Sequence, residues 1–387
     1  MNVKILSADW VLPVSSEPIK KGAIAVINNL IEDVDCQENI VQKYPGAFIE
    51  VYEGKVILPG FINSHTHLDF SLYQNQLKMK NNETFFDWID RVISLQPKTT
   101  LEMRKKGAVE GVKQITMSQT AVVGDITHNP FSCTMLQESG LSGVCFHELS
   151  GFLPEMAESL MNAACEAIKE ISTSNFNHVV VPHSPYAVSE KLLKMLGKKG
   201  GLTSFHLAES KDETTFLLKG EAKMKKIMEG LGKWNRNWKP PKVSPVKYFF
   251  DLGLLHEKSL AVHMVEVKEK DYPLLEQSKT NICLCPRSNL WLKNGLPPAK
   301  DYIDLGLNVC LGTDGLGSND DLNIINEMKA FKKFFPEIPD KTIVEMTTIN
   351  SAKSLELQKN FGSLEKGKKP SFAFMDILDK ENPYSFF

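Results

Sequence analysis

Eight short apolar and β-branched runs, separated by helix-patterned stretches, limit what this chain of 387 residues can fold into. They are Val56–Thr66, Thr120–Ile126, Gly143–Leu149, His178–Pro182, Thr203–Leu207, Leu260–Met264, Thr280–Leu284 and Asn308–Thr313. Between them lie segments such as Leu153–Ile171, whose apolar residues recur near helical spacing. Eight strands alternating with helices are the count of a (β/α)8 barrel. The expected fold class is therefore α/β with a TIM barrel; a doubly wound sheet seldom needs eight such units.

The two ends read differently. Met1–Tyr52 holds short alternating strands broken by turn residues, and the tail "GSLEKGKKPSFAFMDI" reads as a turn followed by a strand. Together they suggest a small β-sandwich built from both termini, residues 1–55 with 356–387, beside a catalytic barrel at 56–355. The least patterned insertion is Glu221–Val246, with Trp234 and Trp238, read as a surface loop or a partial lid.

Composition narrows the function classes. Hydrophobic residues make up 42% and charged residues 24%, the balance of a globular chain with a sizeable core. A net charge of −2 leaves no footprint for nucleic acid or an anionic membrane surface. Seven scattered cysteines without a CxxC pair argue against a disulfide framework, and Cys283 and Cys285 fit buried strand positions. The start "MNVKILSADWVLP" lacks a signal-peptide pattern, and no apolar run approaches the ~18 residues of a membrane span. A reduced, cytoplasmic compartment is the expectation.

The chemistry gathers at the ends of the runs. In "ILPGFINSHTHLDFS", His65 and His67 are two residues apart, and residues i and i+2 of a strand share a face. Both imidazoles then aim at the C-terminal mouth, where such barrels carry their sites. Neutral imidazoles suit zinc or iron. Later strand ends bring His206 in "SFHLAES", His263 in "AVHMV" and Asp314 in "LGTDGLGSND". A site of His65, His67, His206 and Asp314 that keeps one position open is catalytic, because structural zinc sites are closed. A hydrogen-bonded core or rim role would have to hold independently at four strand ends.

The stretches "PGFINSHTHLDFS", "HLAES", "AVHMV", "CPRSN" and "GTDGLGSND" resemble the amidohydrolase superfamily. Within it they are most similar to its mononuclear adenosine-type deaminases. The resemblance covers nearly the whole chain, with the motifs in order. It implies a (β/α)8 barrel with one divalent metal, zinc or else iron, held by His65, His67, His206 and Asp314. It also implies Glu209 as the proton shuttle to a ring nitrogen and His263 beside the incoming oxygen. Asp314 would take the water's proton and pass it to the leaving amine. The implied reaction is hydrolytic deamination, 6-amino to 6-oxo, with release of ammonia.

Binuclear relatives need a bridging Lys or Glu near the third or fourth strand. "VVVPHSPYAVS" has no lysine, and Glu148 in "CFHELSG" is read as a buried carboxylate bonded to backbone or substrate. Glu148, His183, Arg287 and Asn289 are the expected substrate contacts. Arg287 either pairs with a substrate carboxylate or braces a loop. His128, His147, His178 and His256 have no motif behind them and are read as structural.

Deaminases that accept adenosylhomocysteine tend to place arginines after the second and third strands, and none occurs from Thr127 to Phe176. "FHELSGF" and "FHLAES" look more like aminodeoxyfutalosine deaminases, which serve the futalosine route to menaquinone. The benzoate of that substrate would face Arg287 or a nearby lysine. Alternatives are a methylthioadenosine/adenosylhomocysteine deaminase, a guanine deaminase or chlorohydrolase of the same superfamily, and a non-catalytic binding barrel. The expected partner is a small-molecule nucleoside, with neither nucleic acid nor membrane; a homodimer stays open.

Overall fold

A computed structural model describes residues 3–171 and 174–386. Four strands come first: β1 (Val3–Val11), β2 (Ile19–Ile27), β3 (Leu30–Cys36) and β4 (Phe48–Pro59). The central strands are β5 (Phe61–Thr66), β6 (Thr120–Thr127), β7 (Ser142–Leu149), β8 (Phe176–Pro182), β9 (Thr203–Leu207), β10 (Ser259–His263), β11 (Asn281–Leu284) and β12 (Val309–Leu311). The last strand is β13 (Phe372–Asp376).

The terminal strands form one five-stranded sheet in the order β13-β4-β1-β2-β3. A sandwich needs a second sheet over the first, and among the described residues these strands all lie in one. Other elements cover its faces. Ile40 of the helix Gln37–Lys43 packs on Ile5, Ala23 and Ala25, and Leu364 packs on Leu6, Ile24 and Ile57.

The central strands make two parallel four-stranded sheets, β5-β6-β7-β8 and β9-β10-β11-β12. Hydrogen bonds join the segments at both seams. The His206 N–H donates to the His183 carbonyl at 2.9 Å, and the Asp314 N–H donates to the His65 carbonyl at 3.0 Å. Ile62, Val122, Val144, Val181, Leu260, Cys283 and Cys310, from seven different strands, share one buried cluster. Strands covered on both faces read as continuous apolar runs, which is why they stand out in the sequence.

One run was misleading. Val56–Thr66 is not a single strand: β4 ends at Pro59 in the terminal sheet and β5 starts at Phe61 in the central one. A Cβ at Gly60 would lie 2.4 Å from Ser371 Oγ and 2.8 Å from Ala121 Cβ, so only glycine lets the chain pass there. The Glu221–Val246 insertion is also more ordered than its pattern suggested. It contains the helix Ala222–Gly230, and Trp234 and Trp238 stack on Phe152 and Phe216.

Cys283 and Cys285 are buried, as expected. Cys133 and Cys145 are joined in a disulfide that the scattered cysteines gave no reason to expect. The helix Phe131–Glu138 packs against β7 and brings their Cα atoms to 6.2 Å. No helix among the described residues is long and apolar enough to cross a membrane.

Candidate active site

The central strands deliver their polar residues to one end. β5 carries His65 and leads into His67, β9 carries His206, β10 ends on His263, and Asp314 follows β12. The Nε2 atoms of His67 and His206 lie 3.1 Å apart. Asp314 Oδ1 lies 3.4 Å from His67 Nε2 and 3.6 Å from His65 Nε2. Both ring nitrogens of His65, and Nδ1 of His67, are buried without a hydrogen-bond partner. Such orphaned atoms are costly in a core and ask for an explanation.

A metal supplies one for His65 Nε2, which faces Asp314 Oδ1. Donors about 2.0–2.2 Å from a shared zinc sit roughly 3–3.6 Å from one another, close to the separations seen here. Burial lowers the pKa of His65 and of His67, favouring the neutral imidazoles that bind metals. Three nitrogens and one carboxylate oxygen are a donor set for zinc or iron.

Asp314 is held for this task. Its backbone is left-handed, with φ of 58°, and its Oδ2 accepts hydrogen bonds from Ser288 Oγ at 2.6 Å and Ser318 Oγ at 2.7 Å. That leaves Oδ1 facing the histidines. Burial pushes its pKa up, but the neighbouring His65 imidazole and the charges of His67 and His263 hold it well below the usual range. Ser288 and Ser318 were not singled out from the sequence, although each lies inside a quoted motif.

Glu148 anchors three imidazoles. Oε1 lies 2.7 Å from His183 Nδ1 and 3.3 Å from His206 Nδ1, and Oε2 lies 3.2 Å from His128 Nε2. It therefore meets His206 through the nitrogen that does not face His67. Burial works to lower the His206 pKa, but Glu148 pushes it up to about 9. His128, read as purely structural, belongs to this network and lines the cavity. His147 and His178 hydrogen-bond to each other, and the His256 ring accepts the Lys258 N–H.

The expected substrate contacts divide. Glu148 and His183 line the cavity, whereas Arg287 and Asn289 do not. Arg287 forks onto Asp321 at 2.8 and 3.0 Å, so its guanidinium braces the loop after Asp314. The Asn289 Oδ1 accepts from His263 Nδ1 at 2.9 Å, which turns His263 Nε2 toward Glu209, 3.7 Å away. Both placements have one cause: the chain turns into the helix Pro286–Trp291 directly after β11, and these side chains find protein partners.

Glu209 stands on a strained turn after β9, where Ala208 has φ of 49°. The Glu213 carboxylate holds that turn by accepting the N–H groups of Ala208 at 2.9 Å and Glu209 at 2.8 Å. Ser210 Oγ in turn accepts the Glu213 N–H, so the pattern S-x-x-E was a readable signal for Glu213, which the sequence motifs did not single out. Burial pushes the Glu209 pKa well up against the opposing charge of His206, with Asp314 and Glu213 adding to the rise.

These groups floor a cavity of about 590 Å³. Its walls are apolar: Phe70, Phe85, Trp88 and Phe152 on several sides, with Met224 and Met228 contributed by the 221–246 segment.

The profile of the amidohydrolase family matches residues 56–387. A 5-methylthioadenosine/S-adenosylhomocysteine deaminase of Clostridium tetani is 25% identical over 98% of this chain and 85% of its own length. Helicobacter pylori aminofutalosine deaminase, solved with methylthio-coformycin, superposes with a TM-score of 0.86 at 22% identity, covering 98% of this chain and 94% of that one. An adenosine deaminase from Xanthomonas campestris with bound zinc gives 0.81 at 19% identity, covering 96% and 84%. Both solved structures share this fold across nearly all of it. The profile match takes in every central strand and the cluster those strands carry, and the chain belongs to the amidohydrolase family.

Proposed function

We propose that the chain is a metal-dependent hydrolytic deaminase of an adenine-containing nucleoside, converting the 6-amino group to 6-oxo and releasing ammonia. The observation that carries this reading is Glu209, a buried acid on the same cavity floor as the metal-fitting cluster and 3.7 Å from His263. His65, His67, His206 and Asp314 hold one metal per chain, zinc before iron. When bound, such a metal supplies a water acidified to a pKa of about 7.

The chain's own groups move the protons. Asp314 accepts the water's proton and later passes it to the leaving amine. Glu209 donates to the ring nitrogen beside the attacked carbon, so the ring does not accumulate negative charge. His263, its tautomer set by Asn289, presents Nε2 to the incoming oxygen and stabilises the tetrahedral centre. Glu148 and His183 face the rest of the nucleoside.

The cavity volume lies within the ~300–1,000 Å³ of small-molecule sites, and its apolar walls suit a substituted 5′ position. The names of the relatives support such a substrate, with aminodeoxyfutalosine the finer candidate. The same reading takes 61–355 as the catalytic (β/α)8 barrel and 1–59 with 356–387 as an accessory β-unit.

Product analysis on a panel of adenosine, methylthioadenosine, aminodeoxyfutalosine, guanine and a chlorotriazine tests the reading. Ultraviolet shift and ammonia release are expected with the adenine nucleosides. Turnover confined to guanine or the triazine would replace the proposal with another chemistry of the family.

A further inference from the structure

Four side chains with metal-binding chemistry gather on the helix-facing side of β7 and β8, away from the active-site cluster. Val144 and Phe146 enter the buried cluster that the central strands share, while Cys145 packs with Cys133 and Leu136 of the helix Phe131–Glu138. His147, two residues beyond Cys145 on the same strand, shares that outer face. On β8, His178 is the register partner of Cys145. Neighbouring strands lie about 4.8 Å apart, so this pairing sets the imidazole beside the sulfur. A ring nitrogen of His178 and the sulfurs of Cys133 and Cys145 all lie within 4.8 Å of one another.

The donor set is that of a soft-metal centre. Thiolate and imidazole are the usual ligands of zinc, and two thiolates cancel the charge of a divalent ion, which makes burial tolerable. His147 Nε2 lies 2.8 Å from His178 Nδ1, the kind of outer partner that fixes the ring of a metal-bound imidazole. Burial lowers the pKa of both histidines, that of His147 to about 4, which favours the neutral rings that bind metals. In this structure the two sulfurs are bonded to each other, the oxidised state of the same cluster.

We propose that Cys133, Cys145 and His178, with His147 orienting the imidazole, form a second metal site that takes zinc or another thiolate-seeking divalent ion when the disulfide is reduced. A dithiol reductant supplies two electrons and two protons; the S–S bond breaks to give two thiols, and the reductant closes its own disulfide. Metal binding releases both thiol protons to solvent and forms two sulfur–metal bonds. Water reaches the half-buried His178 side to complete a four-coordinate ion. Exchange with an oxidised dithiol restores the disulfide and expels the metal. The disulfide form thus holds the active-site metal alone, and the reduced form holds one more.

Cobalt(II) titration of metal-free protein tests this, because a thiolate ligand gives an intense sulfur-to-cobalt charge-transfer band in the near ultraviolet. The active-site donors are nitrogens and oxygens and give no such band, so the signal also separates this ion from one bridged by Glu148. Protein reduced with a dithiol, then freed of it, should develop the band with about one equivalent beyond the active-site metal. Protein with the disulfide intact should show none. In the reduced state Cys133→Ser and Cys145→Ser should lose the band, and His147→Ala should keep it with cobalt affinity about ten- to a hundredfold weaker. Wild type alone is enough to refute the site: no band on reduction, or a band that persists once peptide mapping shows the disulfide re-formed, would overturn it. A band undiminished in Cys133→Ser would assign the metal to other cysteines and overturn it equally.

Discussion

Glu209→Gln is expected to keep its metal and lose about 10²- to 10⁴-fold in kcat. The amide fills the same volume but cannot deliver a proton to the ring nitrogen. The surrounding loop should not move, because Glu213 holds it through the backbone N–H groups of Ala208 and Glu209 and not through the Glu209 side chain. KM should therefore change little, since binding is left in place and an interaction of the transition state is removed. Steady-state kinetics with metal analysis on the same preparation checks both halves. Near-normal turnover would take the proton shuttle away from Glu209.

His206→Ala should do the opposite, losing the metal first and the activity with it. The substitution removes the Nε2 that faces His67 at 3.1 Å and leaves Glu148 with only His183 and His128. Removing one partner from a buried charge network costs about 3–5 kcal/mol, so the thermal midpoint should also fall. Metal analysis should give about one equivalent for wild type and a small fraction of that for the variant, with turnover below detection. Wild-type metal content in the variant would exclude His206 as a ligand. Two tightly held equivalents in wild type would make Glu148 a bridging ligand.

Much of this site was legible because strand geometry converts spacing into direction. His65 and His67 alternate with Thr66, and His206, His263 and Asp314 each stand at the end of a buried apolar run. The supporting residues were harder to see. Ser288 reaches Asp314 from the helix Pro286–Trp291, which only the fold brings near, while Ser318 reaches it from four residues further along the same loop. Glu213 was signalled locally by its capping pattern, but its hold on the Glu209 turn is tertiary.

Arg287 was left between two roles for a related reason. Its position after a strand said that it lies near the mouth, but direction after a strand end depends on the turn, and Asp321 captures it. His128 carries no motif, because what matters about it is a contact with Glu148 across two strand ends. The boundary at Gly60 was hidden because apolar residues run unbroken from one sheet into the next. The terminal strands were read correctly as strands, but their count could not say that a helix and a loop, instead of a second sheet, would cover them.

The central claim is that water replaces an exocyclic amine under the direction of these side chains. The most direct measurement is mass spectrometry of the product formed from methylthioadenosine by zinc-loaded protein in heavy-oxygen water, with ammonia measured in parallel. The account predicts one heavy oxygen at the 6-position and one ammonia per product, with both lost in Glu209→Gln. Failure of metal-loaded wild type to convert any adenine nucleoside, or product formed without incorporation of solvent oxygen, would contradict it.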